Sequence, residues 1–257
     1  CSHAQMVVHL AAAVGVKFII ENPVHTIQTN VTGSDAVLSC AYRYGCKVLL
    51  ASSSEVYGKG TRVPFSEDDD CLIGPTTRSR WAYATSKALD EFLGLAYFRQ
   101  FNLPVVIMRF FNTIGPRQTG RYGMVVPRFI HQAIRNKPVE VYGDGKQTRC
   151  FADVADVAQA ILLLMTNEHA VGQVFNIGST FEISIYQLAK RVITLCGSQS
   201  EIIFTPYEEA YEPGFEDMLR RVPSIEKITQ LTGFEPRFSL DESLRRIIAF
   251  ELSRINL

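Results

Sequence analysis

Two short apolar runs end abruptly in polar residues, and that punctuation constrains the fold more than any other feature of the chain. Val48-Leu49-Leu50-Ala51 passes directly into Ser52-Ser53-Ser54-Glu55, and Pro104-Val105-Val106-Ile107-Met108 passes into Arg109. A near-continuous apolar run of strand length is what a strand covered on both faces looks like. Between the two lies Trp81 to Glu91, rich in helix formers. Strand, polar tip and helix in repetition predict an α/β chain with a parallel sheet, whose ligands collect at the carboxyl ends of the strands. Ser53, Ser54 and Glu55 are therefore expected to face a crevice, and Phe110 to Arg117 to form a second polar exit loop.

Tyr83 and Lys87 stand four apart in the central helix, so their side chains share one face. An ammonium beside a phenol favours the phenolate, and a tyrosine lowered from about 10 can take a proton from a sugar hydroxyl near neutral pH. The same spacing also fits an ordinary amphipathic surface. A second Tyr-x-x-x-Lys, Tyr142 to Lys146, holds Gly143 and Gly145 between its ends and reads as a turn.

Further elements are expected as a strand over 6–10, helices over 24–45 and 81–100, and then a mixture of short strands and helices. The helices fall near 125–135, 154–165, 185–195, 225–231 and 240–253; the strands near 139–142, 174–177 and 202–204. Formal net charge is zero, with 26 basic and 26 acidic residues and no long run of either sign. That balance argues against nucleic acid or an anionic membrane as the main partner. No apolar stretch is long enough to span a bilayer. Cys1, Cys40, Cys46, Cys71, Cys150 and Cys196 form no Cys-x-x-Cys and no metal-like spacing with the five histidines, so the expectation is free thiols in the cytoplasm and no metal.

The chain resembles the extended short-chain dehydrogenase/reductases of the nucleotide-sugar epimerase/dehydratase family. The resemblance rests on an ordered series of motifs: His9-Leu10-Ala11-Ala12, Thr29-Asn30-Val31-x-Gly33, Ser52 to Gly58, Tyr83-x-x-x-Lys87, Arg109-Phe110-Phe111-Asn112-x-x-Gly115-Pro116-Arg117, Val141 to Arg149, and Phe175-Asn176-Ile177-Gly178. It implies a Rossmann-type doubly wound parallel sheet over residues 1–110. A smaller α+β substrate-binding lobe, mainly 111–257, would be interleaved with it. NAD is the implied cofactor, a UDP-sugar the substrate and a homodimer the assembly.

No Gly-x-Gly-x-x-Gly occurs anywhere, although the family opens on such a loop to receive the NAD pyrophosphate. The expectation is a sequence that lacks roughly 60 N-terminal residues of a full dinucleotide-binding unit, incomplete at that end of its sheet.

The resemblance also assigns roles. Tyr83 would deprotonate the sugar 4-hydroxyl, and Lys87 would hold the nicotinamide ribose and lower the tyrosine. Ser53 would hydrogen-bond the same sugar oxygen, or else cap local backbone. Ala11, Ala12 and Asn30 would lie against the dinucleotide. Ser54, Asn112, Tyr142, Arg149 and Arg221 would bind substrate, although either arginine could instead be a surface ion pair and Tyr142 could simply pack under its loop.

Dehydratases of the group carry Asp-Glu after the serine. Here the pair is Ser54-Glu55, which disfavours 4,6-dehydration and leaves two reactions open. Ser-Glu with Gln147-x-Arg149 is similar to UDP-glucuronate decarboxylases. The long stretch from 74–77 through 115–124, with 214–218 before 220–223, looks more like UDP-glucose 4-epimerases, and 4-epimerisation is the expectation, with Glu55 counted among the catalytic residues. A non-catalytic binding or interaction module is the reading from another class.

Overall fold

A computed structural model of the chain describes residues 1–120, 124–210 and 216–255. The chain begins with β1 (Met6–His9), α1 (Val16–Glu21), α2 (Pro23–Tyr44), β2 (Lys47–Ser53), α3 (Arg80–Phe101) and β3 (Val105–Phe110). It continues through β4 (Asn112–Ile114), α4 (Val125–Ala133), β5 (Val139–Tyr142), β6 (Thr148–Asp153), α5 (Val154–Thr166) and β7 (Val174–Ile177). Last come β8 (Glu182–Ser184), α6 (Ile185–Cys196), β9 (Ile202–Thr205), α7 (Tyr207–Ala210), α8 (Glu226–Thr232) and α9 (Leu240–Ile255). No described helix is long and apolar enough to cross a membrane.

The main sheet has the order β1-β2-β3-β7, and every pairing in it is parallel. Its two faces can be read from alternate residues. Val48, Leu50, Val105 and Ile107 pack toward Leu38 and Ala41 of α2. Leu49, Val106 and Met108 pack on the other side, with Val157, Ala160 and Leu164 of α5 and Ile228 of α8. Successive strand side chains point to opposite faces, so helices on both sides explain why these strands carry no polar interruption before their tips. The architecture is the Rossmann-type doubly wound sheet that the motif series implied.

The polypeptide leaves this sheet after β3 and rejoins it at β7, beside β3. Part of the excursion joins the segments after β7 in a second core, around Phe129 and Ile130 of α4, Val139 and Val141 of β5, Leu188 and Val192 of α6, and Leu244 and Ile247 of α9. Two small sheets support it, β4-β6-β8 and the parallel pair β5-β9. Local signals set the element ends here. The Ser184 hydroxyl accepts the Gln187 amide while the Gln187 side chain accepts the Ser184 amide, a capping box at the start of α6, and Gly197 ends that helix at φ 62°.

The polar exit loop expected over 110–117 is partly a strand. Residues 112–114 pair with β6, Asn112 opposite Phe151 and Ile114 opposite Asp153. None of β4, β6 and β8 was expected: β4 and β8 have three residues each, too few to show a period, and the Thr-Arg-Cys-Phe-Ala-Asp of β6 shows no polar–apolar alternation. Helix α1 was likewise not anticipated.

Candidate functional site

At the carboxyl ends of β2 and β3, between the main sheet and the smaller lobe, lies a cavity of about 620 Å³. Ser53 closes β2, and its hydroxyl faces the Tyr83 phenol, which reaches toward it from the first turns of α3. The same hydroxyl accepts the Glu55 amide at 3.3 Å, so the capping role and the phenol contact coexist. Helix and strand are locked in register by a buried pair. Arg109 Nη2 meets Glu91 Oε2 at 2.8 Å and its Nε meets Oε1 at 2.9 Å, while the Ser52 hydroxyl donates to the same carboxylate. A bidentate guanidinium–carboxylate pair is directional, and this one fixes how far Tyr83 projects over the strand tip.

The phenol does not carry the lowered pKa expected from its lysine. Burial pushes Tyr83 up to about 12; the Ser53 hydroxyl opposes the rise, and the Glu55 carboxylate adds to it. Lys87 shares the helix face and lines the cavity, as the four-residue spacing requires, but its ammonium is engaged by Asp90 at 2.8 Å. Proximity along the helix was read correctly, whereas the electrostatic consequence was not, because the sequence does not show desolvation or a counter-charge.

Beside this pair is a cluster of opposite charges. Glu55 meets Arg80 Nη2 at 2.6 Å and also pairs with Arg221 Nη1. Burial alone would raise the Glu55 carboxyl, but the two guanidinium groups outweigh it and hold the group at about 2. Arg221 Nη2 donates to Asn112 Oδ1 at 2.6 Å, and Arg221 Nε is buried without a hydrogen-bond partner among the described residues. Two cations against one anion leave this part of the wall positive.

Arg149 donates to Asp217 Oδ1 at 2.7 Å and to the Thr148 and Met218 carbonyls at 2.7 and 2.8 Å. Both Arg149 and Arg221 are buried, which removes the surface ion-pair alternative. Tyr142 lines the cavity from the smaller lobe, with the Arg128 guanidinium 3.9 Å from its ring centroid. Ser54 and Ala12 also reach the wall.

Two expected cofactor contacts do not lie there. Ala11 is exposed and outside the cavity lining. Asn30 is buried behind it, its Oδ1 accepting the Ala13 amide at 2.7 Å and its Nδ2 donating to Ser86 Oγ at 3.2 Å. Asn30 thus shapes the segment after β1 rather than contacting the cavity itself.

Arg80 was missed by sequence reasoning although it stands three residues before Tyr83, a spacing that puts both on one helical side. Arg128 and Asp217 were missed for a different reason: nothing local links them to the cavity. Residues 121–123 and 214–215, part of the stretches that favoured an epimerase, lie outside the described residues.

The NAD dependent epimerase/dehydratase family model matches residues 1–178. A UDP-N-acetyl-α-D-glucosaminuronate decarboxylase of Bacillus cytotoxicus is 45% identical over 244 residues, 95% of this chain and 75% of that protein. UDP-glucuronic acid decarboxylase 2 of Arabidopsis thaliana is 40% identical over 92% of this chain, which spans 51% of that relative. The UDP-glucose 4-epimerase of Thermotoga maritima superposes with a TM-score of 0.89 at 27% identity, covering 98% of this chain and 78% of that one. Sequence, sheet order and cavity position agree, and the chain belongs to the NAD-dependent nucleotide-sugar epimerase/dehydratase family of enzymes.

Proposed function

We propose that the protein decarboxylates a UDP-hexuronate through a 4-keto sugar, in preference to the 4-epimerisation expected from its loops. The observation that carries this reading is the positive Arg80–Glu55–Arg221 cluster beside the Ser53–Tyr83 pair. A hexuronate differs from a hexose by the carboxylate at C6, and a wall with two guanidinium groups against one carboxylate favours such an anion. The decarboxylase names of the two sequence relatives support the same choice.

NAD, when bound, supplies the hydride acceptor for C4. Tyr83 takes the 4-hydroxyl proton, and Ser53 steadies the oxygen as it becomes a carbonyl. The C6 carboxylate is then a β-keto acid; its C5–C6 bond breaks, carbon dioxide leaves, and the electron pair passes into the C4–C5 enolate. A proton taken up from water replaces the carboxylate at C5 and the Tyr83 proton goes back to the 4-oxygen; with NAD bound, the hydride it would hold and give back to C4 makes the cycle one of no net oxidation. Lys87 and Tyr83 present an ammonium and a phenol on one helix face, a donor set that fits the hydroxyls of the nicotinamide ribose. Arg149 fits the nucleotide diphosphate.

Incubation of the NAD-supplied protein with UDP-glucuronate, UDP-N-acetylglucosaminuronate, UDP-glucose and UDP-galactose tests the reading, with carbon dioxide and sugar products followed by NMR. Carbon dioxide from a uronate supports it. Interconversion of the glucose and galactose forms without carbon dioxide supports the epimerase, and no turnover of any substrate supports a binding module.

The protein is also proposed to pair with a second copy through α2 and α3. These helices pack together and still expose Val24 at 66% and Phe92 at 72%, an apolar surface suited to burial in a homodimer. Phe92→Lys is expected to yield monomers in light scattering. Its six free thiols suit a cytoplasmic setting.

A further inference from the structure

Behind Lys87 lies a group that the proposed reaction does not employ. Asp90 follows one turn later on α3, its Oδ2 2.8 Å from the Lys87 ammonium, with side-chain exposures of 0% and 3%. Lys87 lines the cavity; Asp90 does not. The carboxylate is faced by Lys87 from its own helix, by Ser34 from α2 and by His9 from the end of β1. His9 Nε2 lies 3.5 Å from Ser34 Oγ, so three elements meet around one buried acid.

Burial pushes the Asp90 carboxyl up, against the pull of Lys87 and the Ser34 hydrogen bond. Burial and the Lys87 charge push the His9 imidazole down, which leaves it neutral near pH 7 and makes the lysine the cation that Asp90 answers. The phenol one turn before Lys87 is faced by Ser53 on β2, by Glu55 beyond the strand tip, by Arg221 and by Asp90 itself.

We propose that Asp90 is a positioning residue: its carboxylate pins the Lys87 ammonium from behind and sets how strongly that charge acts on the Tyr83 phenol. The role rests on Tyr83 and Lys87 serving as the base pair proposed above. An unpaired ammonium in this position would either lose its proton or pull the phenol far toward phenolate, and a group that must accept and return one proton per cycle needs neither extreme. Asp90 stands seven positions from Tyr83, roughly 10 Å along the helix axis, a separation at which one buried charge moves a titration by about one pH unit.

The test uses protein labelled with [13Cζ]tyrosine and supplied with NAD, titrated from about pH 8 to past pH 12, so that the raised Tyr83 midpoint falls inside the range. Tyr83→Phe identifies the Tyr83 resonance. Asp90→Asn is expected to lower the Tyr83 midpoint by about one pH unit and to move the acid limb of the kcat profile in the same direction, while Asp90→Glu restores both. A purely structural role for Asp90 would lower the melting temperature and leave the midpoint where it was. An unchanged or higher midpoint in Asp90→Asn overturns the proposal. Should that variant not fold, Asp90→Ser, which leaves room for water at the ammonium, carries the same expectation. Full turnover by Tyr83→Phe would instead remove the base assignment, so the two failures are told apart.

Discussion

Tyr83, Lys87 and Ser53 reach the cavity from one helix and one strand tip, whereas Glu55, Asn112, Arg149 and Arg221 converge from segments as much as 166 residues apart. The first group is held by local geometry, a helical period and the Arg109–Glu91 pair that seats α3 on the sheet. The second is held by its own charges. Glu55 answers two arginines, and Arg149 is fixed by the Asp217 carboxylate and the Met218 carbonyl, both far along the chain, and by the carbonyl of its neighbour Thr148. One region can therefore lose function without losing structure, while the other cannot be altered without disturbing the junction between sheet and lobe.

The largest effect that would sharpen this contrast is expected at Tyr83. Tyr83→Phe removes only a hydroxyl and should cost roughly 10²–10⁴-fold in turnover, the usual range for a general base, with the melting temperature little changed. A large stability loss in that variant would break the distinction. Next comes Glu55→Gln, which leaves Arg80 and Arg221 facing each other in a largely buried site. The loss expected in denaturant melts at neutral pH is about 3 kcal/mol.

The same group predicts an acid response. The folded carboxyl sits at about 2 against an ordinary 4.5, so its contribution is fully present above 4.5 and is lost as the pH falls toward 2. Urea midpoints measured across that window should fall steeply in the native protein and more shallowly in Glu55→Gln. A parallel pair of curves would mean that the carboxylate is not held this way.

Smaller again is Asn30→Ala, which strands the buried Ala13 amide and should cost about 1–3 kcal/mol. Its affinity for NAD, measured by calorimetry, is expected to weaken because the segment after β1 loses its brace. The mildest change is Arg149→Lys. One ammonium cannot reproduce the fork that spans Asp217 and the backbone carbonyls, so KM should rise by about tenfold while kcat stays close to its native value.

Much of this organisation was legible before any coordinates. The strands at 47–53 and 105–110 announce themselves because a strand covered on both faces leaves no room for polar residues until it ends. Their polar tips then mark the cavity. The Tyr83–Lys87 face is equally legible, since residues four apart on a helix are neighbours whatever surrounds them. Arg80 was within reach of the same argument and was overlooked. Arg128 and Asp217 were not within reach, because no period or motif carries either of them to the cavity.

What the chain determined by itself was the alternation of elements and the local pairing of a phenol with an ammonium, because both follow from periodicities of a few residues. Tertiary structure decided the acidity of that phenol, the counter-charge on its ammonium and the makeup of the arginine cluster. Desolvation, the Asp90 counter-charge and the approach of Arg221 to Glu55 are properties of the folded interior, where a group's acidity is set by what is packed against it.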